Sequence, residues 1–310
     1  MHVYTITLNP AYDIYCTCEN LRVGCENNLG NVEKYIGGKG INISRALVET
    51  GVDNTAICVL GEDNCTEFTA ALGGTNIDAR LIFTGGRIRE NITVRPSDGA
   101  PETRLCFNGA SLDTSVLEDV EREILPMIHH GDFLTFTGSI PDGLPRFAIC
   151  DFLTRARERG ARLVIDSRSL TLDEVVGLSP FLIKPNEQEL RAMTSCDVTS
   201  IDDVLSCARD IVSRGVEYAL VSLGARGAVL AARDDAYVAI PPRVETRSTV
   251  GAGDSMIAGF LSAQCSGFDD RASLALAVAY GTAACLRSGT EPPRMSDVNS
   301  IRERIYIKRI

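Results

Sequence analysis

Short β-branched and apolar runs alternate along this chain with segments of helical periodicity, and that alternation limits the fold more than any other feature. The strand-like runs are Val3–Leu8, Thr55–Leu60, Asp132–Thr137, Arg162–Ile165, Phe181–Ile183 and Tyr218–Ser222. Several are apolar without interruption, as strands buried on both faces are. Helical patterns cover Gly38–Glu49, Val116–Ile128, Pro145–Arg159, Glu187–Met193, Asp202–Ser213, Ala252–Gln264 and Arg271–Leu286. The alternation predicts an α/β fold: a mostly parallel sheet flanked by helices on both faces. Two stretches break the rhythm, Pro10–Val32 and Gly86–Asn108. Neither has room for a crossover helix, and the second alternates around a Ser97-Asp98-Gly99 turn. We expect a small β-sheet lid from residues 10–32 and 86–108. It would project from an α/β core made of 1–9, 33–85 and 109–310.

Composition narrows the partners. Of 310 residues 45% are apolar, enough for a sizeable core, and the net charge is −10. An acidic chain without a Lys/Arg run repels nucleic acids and anionic membranes. The N-terminus, MHVYTITLNP, lacks a basic segment before an apolar one, and no apolar run approaches the roughly 18 residues that span a bilayer. A cytoplasmic protein with no nucleic-acid or membrane partner is expected. The 11 cysteines are scattered, with only Cys16 and Cys18 close together, which suits reduced thiols better than a zinc site. Three histidines (His2, His129, His130) leave little for a Ser/His/Asp triad.

Three glycine- or cap-bearing segments can carry chemistry. In Ser248-Thr-Val-Gly-Ala-Gly-Asp254-Ser, Gly251-Ala252-Gly253 would open a helix whose N–H groups form an anion site. Asp254 in the first turn is then either a helix cap or the base that takes a proton from an attacking hydroxyl. Tyr35-Ile-Gly-Gly-Lys-Gly-Ile-Asn42 is neither a Walker A loop nor Gly-x-Gly-x-x-Gly. Its glycines could serve packing alone, but Asn42 on an apolar face needs a partner, and a sugar hydroxyl is a candidate. Lys184-Pro185-Asn186-x-x-Glu189 reads as a capping box, or as a pair that orients water around a Mg²⁺-nucleotide.

Together these segments resemble the ribokinase-like (PfkB) carbohydrate kinase family. Gly37-Gly38-Lys39-Gly40-x-Asn42 is similar to its N-terminal signature and Ser248–Ser255 to its C-terminal one. Lys184-Pro185-Asn186-x-x-Glu189 and Val221-Ser-Leu-Gly-x-x-Gly227 are similar to its internal ones, in family order. Thr7-Leu-Asn-Pro-Ala-Tyr-Asp13, Lys39 and Thr137-Gly-Ser-Ile-Pro-x-Gly143 point to the phosphosugar branch, the 1-phosphofructokinases and tagatose-6-phosphate kinases. The resemblance implies a Rossmann-like core with a β-lid shared across a homodimer. It implies transfer from ATP with Mg²⁺ and in some members a monovalent cation. It implies Asp254 as base with Gly251, Ala252 and Gly253 as anion hole. Asp13, Gly38 and Asn42 would meet sugar hydroxyls, and Lys39 and Arg89 phosphate, with Ser139 on the substrate side. Lys184, Asn186, Ser222, Gly224, Gly227 and Thr249 would meet the nucleotide, and Asn186 and Glu189 the Mg²⁺ through water.

Some positions depart from the family. Gly24–Asn28 has no basic residue, Asp142 replaces Pro or Ser, and Phe107-Asn108-Gly109 fits the second lid segment loosely. Asp166-Ser-Arg168-Ser169 replaces Asp-x-Ser-Gly. These touch the choice of sugar, so a tagatose 6-phosphate kinase or a kinase of an unphosphorylated sugar stays beside a fructose 1-phosphate kinase. Arg87, Arg95 and Arg104 are candidates, with Lys39 and Arg89, for cations gathered around polyanionic ligands, but are read first as charge on a sheet edge. A non-catalytic sugar or nucleotide sensor would be expected to lack Asp254 or the glycines. A dinucleotide oxidoreductase would need a glycine fingerprint where Asn9-Pro-Ala-Tyr12 stands.

Overall fold

The computed structural model describes residues 1–310. Its strands are β1 (Val3–Thr7), β2 (Ala11–Cys18), β3 (Gly30–Gly37), β4 (Asn54–Gly61), β5 (Asp78–Thr84), β6 (Arg89–Pro96), β7 (Thr103–Leu105), β8 (Phe133–Thr137), β9 (Arg162–Asp166), β10 (Leu182–Ile183), β11 (Tyr218–Ser222), β12 (Ala228–Ala231), β13 (Ala236–Ile240) and β14 (Tyr306–Arg309). The helices are α1 (Lys39–Val48), α2 (Cys65–Gly73), α3 (Thr114–Ile124), α4 (Arg146–Glu158), α5 (Leu172–Gly177), α6 (Glu187–Thr194), α7 (Ile201–Ser213), α8 (Ala252–Cys265), α9 (Asp270–Ala284) and α10 (Met295–Arg302). Ten strands form one sheet in the order β14-β13-β12-β11-β10-β9-β8-β1-β4-β5. From β11 to β5 all neighbours are parallel, and the hairpin partners β12, β13 and β14 extend it antiparallel.

The apolar strands are buried on both faces because alternate residues meet different helices. Tyr4 and Ile6 of β1 join a cluster with Val116 of α3, Phe152 of α4 and Ile211 of α7. Val3 joins another with Leu47 of α1, Phe260 of α8 and Tyr280 of α9. Expected elements are present with ends shifted by a residue or two. The helix expected to reach Ile128 stops at Ile124, because Pro126 has no N–H to continue it and a 3₁₀ turn follows.

A second sheet, β3-β2-β6-β7, stands apart from the first. β2 pairs with β6 in parallel over Ala11–Cys18, and the two outer strands run antiparallel to them. Its strands come from the two stretches that broke the helical rhythm. The expected division at residue 33 falls inside β3, however, which continues to Gly37. Residues 33–37 belong to this small sheet because register with β2 persists to Gly37 opposite Ala11. The short helices α2, α5 and α10 and the β12–β13 hairpin were not among the expected elements.

Candidate active site

The parallel strands point their C-terminal ends at one cavity of about 1030 Å³, the edge where open α/β sheets bind ligands. Thr7, Thr137, Asp166 and Ser222 end β1, β8, β9 and β11 and line it. The small sheet contributes Ala11, Asp13, Arg89, Asn91 and Arg104, and the starts of α1 and α8 complete the wall. Every site candidate named from the sequence lines this cavity.

Gly251 caps α8 at φ +79°, a left-handed conformation that glycine adopts without strain. No side chain caps that end. First-turn N–H groups have no acceptor within their own helix; that of Ala252 leans on the Thr249 carbonyl at 3.4 Å, and those of Gly253 and Asp254 are left to the cavity. A Cβ on Gly253 would come within 3.0 Å of Lys184 Nζ, so the ammonium lies against the same turn. Asp254, third in the helix, is not the cap. Its Oδ2 accepts a 2.8 Å hydrogen bond from Asn42 Nδ2 on α1, and it is 6% exposed. Burial pushes its carboxyl up to about 6, against Lys39 and the Asn42 hydrogen bond, which pull it down. Asn42 Oδ1 is buried without a partner.

Lys39, the first residue of α1, donates to Asp166 Oδ2 at 2.9 Å and to the Asp166 carbonyl at 3.3 Å. Lys184 Nζ reaches the same Oδ2 at 3.6 Å. Burial alone would raise the Asp166 carboxyl, but the two ammonium groups outweigh it and hold it low. Asp166 was singled out from the sequence only as part of a departing segment. The available signal was an acid closing a strand at the ligand-binding edge.

On the small-sheet side, Asp13 accepts from Asn91 Nδ2 at 3.0 Å and from Arg104 Nη2 at 3.3 Å. Gly37 is required opposite, since a Cβ there would lie 2.1 Å from Asp13 Oδ2. Arg89 donates through Nη2 to the Asn9 carbonyl at 3.2 Å, while its Nε is buried and unpaired. Asn9 Nδ2 donates to Ser139 Oγ at 3.1 Å. Arg95, by contrast, pairs with Glu102 and does not line the cavity, and neither does Arg87. Arg104 therefore departs from its expected role as edge charge: the short β7 turns it inward onto Asp13.

Beyond Asp166 the wall is built from Lys184, Asn186, Glu189, Ser222, Gly224 and Gly227, with Arg243 and Thr249. Asn186 and Glu189 form a complete capping box on α6. Gly227 has φ +96°, and a Cβ there would stand 1.9 Å from the Ala239 carbonyl, so only glycine fits the turn between β11 and β12.

Residues 3–297 match the pfkB family carbohydrate kinases. The chain belongs to that family. It is 31% identical over 297 residues to a 1-phosphofructokinase of Escherichia coli K12, covering 95% of each chain. It is 28% identical over 309 residues to a 1-phosphofructokinase of Haemophilus influenzae, covering 99% of this chain and 98% of the other. The fold superposes on phosphofructokinase-2 of Escherichia coli, in complex with substrates and products, with a TM-score of 0.91 at 27% identity over 98% and 99% of the two chains.

This carbohydrate kinase is a phosphotransferase with an alcohol acceptor, using ATP and a divalent metal. Its site fits such polyanions although the whole chain is acidic. Lys39, Lys184, Arg89, Arg104 and Arg243 line the cavity with the carboxylates of Asp13, Asp166 and Asp254, while Arg168 is paired to Glu189. Unpaired buried atoms of lining residues, Asn42 Oδ1, Asn91 Oδ1, Thr137 Oγ1 and Arg89 Nε, are the partners a hydroxylated, phosphorylated ligand would satisfy. No helix is long and apolar enough to cross a membrane.

Proposed function

We propose that this kinase phosphorylates fructose 1-phosphate to fructose 1,6-bisphosphate with Mg²⁺-ATP. The observation that carries the substrate class is Arg89, half-buried on the small-sheet wall with an unpaired Nε, beside Arg104. Two guanidinium groups there suit the sugar's own phosphate. The names of the curated relatives support the 1-phosphate isomer. Asp13, Gly38 and Asn42 meet sugar hydroxyls, and Ser139 is held toward the acceptor by Asn9. Lys39, whose charged neighbours are Asp166, Asp254 and Glu189, is placed for the phosphoryl group in transit.

Asp254 takes the proton of the attacking hydroxyl, and the Gly251–Gly253 amides with Lys184 stabilise charge on the transferred group. Mg²⁺ supplies charge neutralisation between the phosphates. It usually keeps several waters and needs few protein carboxylates, which fits Asn186 and Glu189 acting through water. Ser222, Gly224, Gly227 and Thr249 hold the nucleotide. The small sheet acts as a lid that excludes water, dividing the chain into 10–37 and 86–108 against the rest.

The test is ATP turnover on fructose 1-phosphate, fructose 6-phosphate, tagatose 6-phosphate and free sugars. Arg89→Ala is expected to raise KM for the phosphosugar about 10- to 100-fold, the value of one charged hydrogen bond, with KM for ATP little changed. Turnover confined to tagatose 6-phosphate, or to an unphosphorylated sugar, would overturn the substrate reading.

The small sheet and the residues flanking its outer strands also expose Leu29, Val32, Leu105 and Phe107. We read this surface as the contact of a homodimer, whose partner would cover it. Val32→Asp is expected to shift the protein to half its mass in light scattering, and an unchanged mass excludes that interface. The eleven cysteines stand as free thiols, which together with ATP suits the cytoplasm.

A further inference from the structure

One charged pair in the cavity ties Glu189 to a side chain, Arg168, that has no part in the chemistry above. Arg168 Nε donates to Glu189 Oε1 at 2.5 Å, and Glu189 Oε2 accepts the Asn186 N–H at 2.8 Å. Both carboxylate oxygens therefore carry partners. The two sides of the pair differ in how firmly they are held. Glu189 is 13% exposed and fixed by the cap, whereas the Arg168 side chain is 76% exposed and makes no other side-chain hydrogen bond. An ion pair with so exposed a partner is weakly held. Arg168 and Glu189 also line a second cavity of about 530 Å³ that shares only Asp166 and this pair with the first. The pair is thus a partition, with room behind it for the guanidinium to move away.

We propose that Arg168 is a positioning residue that competes with the divalent cation for Glu189. It occupies the carboxylate when no metal is present and sets the metal concentration at which the nucleotide is held productively. This rests on the reading that Glu189 faces the metal-bound nucleotide. Arg168 holds Oε1 and the cap holds Oε2, so a metal-bound water that takes Oε1 displaces the guanidinium, whose charge also opposes the approach of the metal. Because the cap fixes Glu189, the side that yields is Arg168. The competition belongs to this sequence: Arg168 stands in Asp166-Ser-Arg-Ser169, where a small side chain would leave Glu189 free.

The experiment measures Mn²⁺ binding by the electron paramagnetic resonance of the free ion, in the presence of a non-hydrolysable ATP analogue. Three variants are compared with the parent: Arg168→Ser, Glu189→Gln and the double variant. Gln can still accept the Asn186 N–H, so the cap survives. Arg168→Ser is expected to tighten Mn²⁺ binding about fivefold or more, the lower range of coupling between sites, with metal-free nucleotide affinity unchanged. Glu189→Gln should weaken Mn²⁺ binding, and in its background Arg168→Ser should have no effect. If Glu189→Gln weakens Mn²⁺ while Arg168→Ser leaves it unmoved, the competition is wrong and the reading of Glu189 stands. If Glu189→Gln leaves Mn²⁺ binding unmoved, both are wrong. Loss of metal-free nucleotide binding in Arg168→Ser, with an unchanged Mn²⁺ curve, would show that Arg168 touches the phosphates instead.

Discussion

Asp254→Asn is expected to lower kcat by about 10²-fold or more, the usual contribution of a positioned acid–base group, with ATP affinity near that of the parent. The carboxylate does not cap α8 and is not paired with a cation. Asn can accept the same hydrogen bond from Asn42, so the loss falls on proton transfer. A second signature follows from burial. The base must be ionised, and its carboxyl sits at about 6, so kcat/KM should fall as pH drops through about 6 and level off above it. Stability moves in the opposite sense. Between the ordinary carboxylate range and about 6 the folded enzyme keeps a proton that the unfolded chain releases, so folding weakens as pH rises through that window. Raising the carboxyl from 3.8 to about 6 corresponds to about 3 kcal/mol of cost at pH 7. Asp254→Asn is therefore expected to be more stable than the parent at pH 7 in urea unfolding, although nearly inactive. A variant with normal turnover, or with an unshifted acidic limb in the parent, ends the assignment of Asp254 as base.

The first turn of α8 was legible in the sequence as a candidate site, while the residues that support it were not. Gly251-Ala252-Gly253-Asp254 carries its own geometry: a left-handed glycine, a helix start and an acid in the first turn are local facts of four residues. The same holds for the Asn186–Glu189 box, and for the strands, whose apolar runs need only a buried environment on each face. Asp166 is different. Its importance comes from Lys39, 127 positions away, and from Lys184, brought to it by neighbouring parallel strands. Spacing along the chain holds no trace of that meeting. Arg104 was misjudged for a like reason. It sits in a three-residue strand at a sheet edge, where charge usually serves solubility, and only the pairing of β6 with β7 turns it onto Asp13. The boundary at residue 33 erred because a strand's end is set by its partner's register, here Ala11 opposite Gly37.

Asp166→Asn tests that hidden layer, and its expected effect on stability is a loss, opposite in sign to that of Asp254→Asn. Asp166 is 5% exposed and Lys184 4%, so removing the charge leaves Lys184 nearly buried without its charged partner, and Lys39 also without its own. Breaking a buried ion pair costs about 3–5 kcal/mol. The site opens on a cavity and Lys39 is 35% exposed, which places the expected loss near the lower figure. Urea unfolding at pH 7 measures it. The sign with pH follows from the carboxyl being held low: its contribution is complete at neutral pH and is lost on acidification below the ordinary carboxylate range. The gap between parent and Asp166→Asn should therefore close at low pH. A nucleotide should narrow it as well, because its phosphates return negative charge to the two lysines, and linkage then raises the variant's stability by more than the parent's. A loss of under about 1 kcal/mol, or one that ignores both pH and nucleotide, would mean that the lysines relax into solvent without Asp166. The charge cluster would then not organise the site.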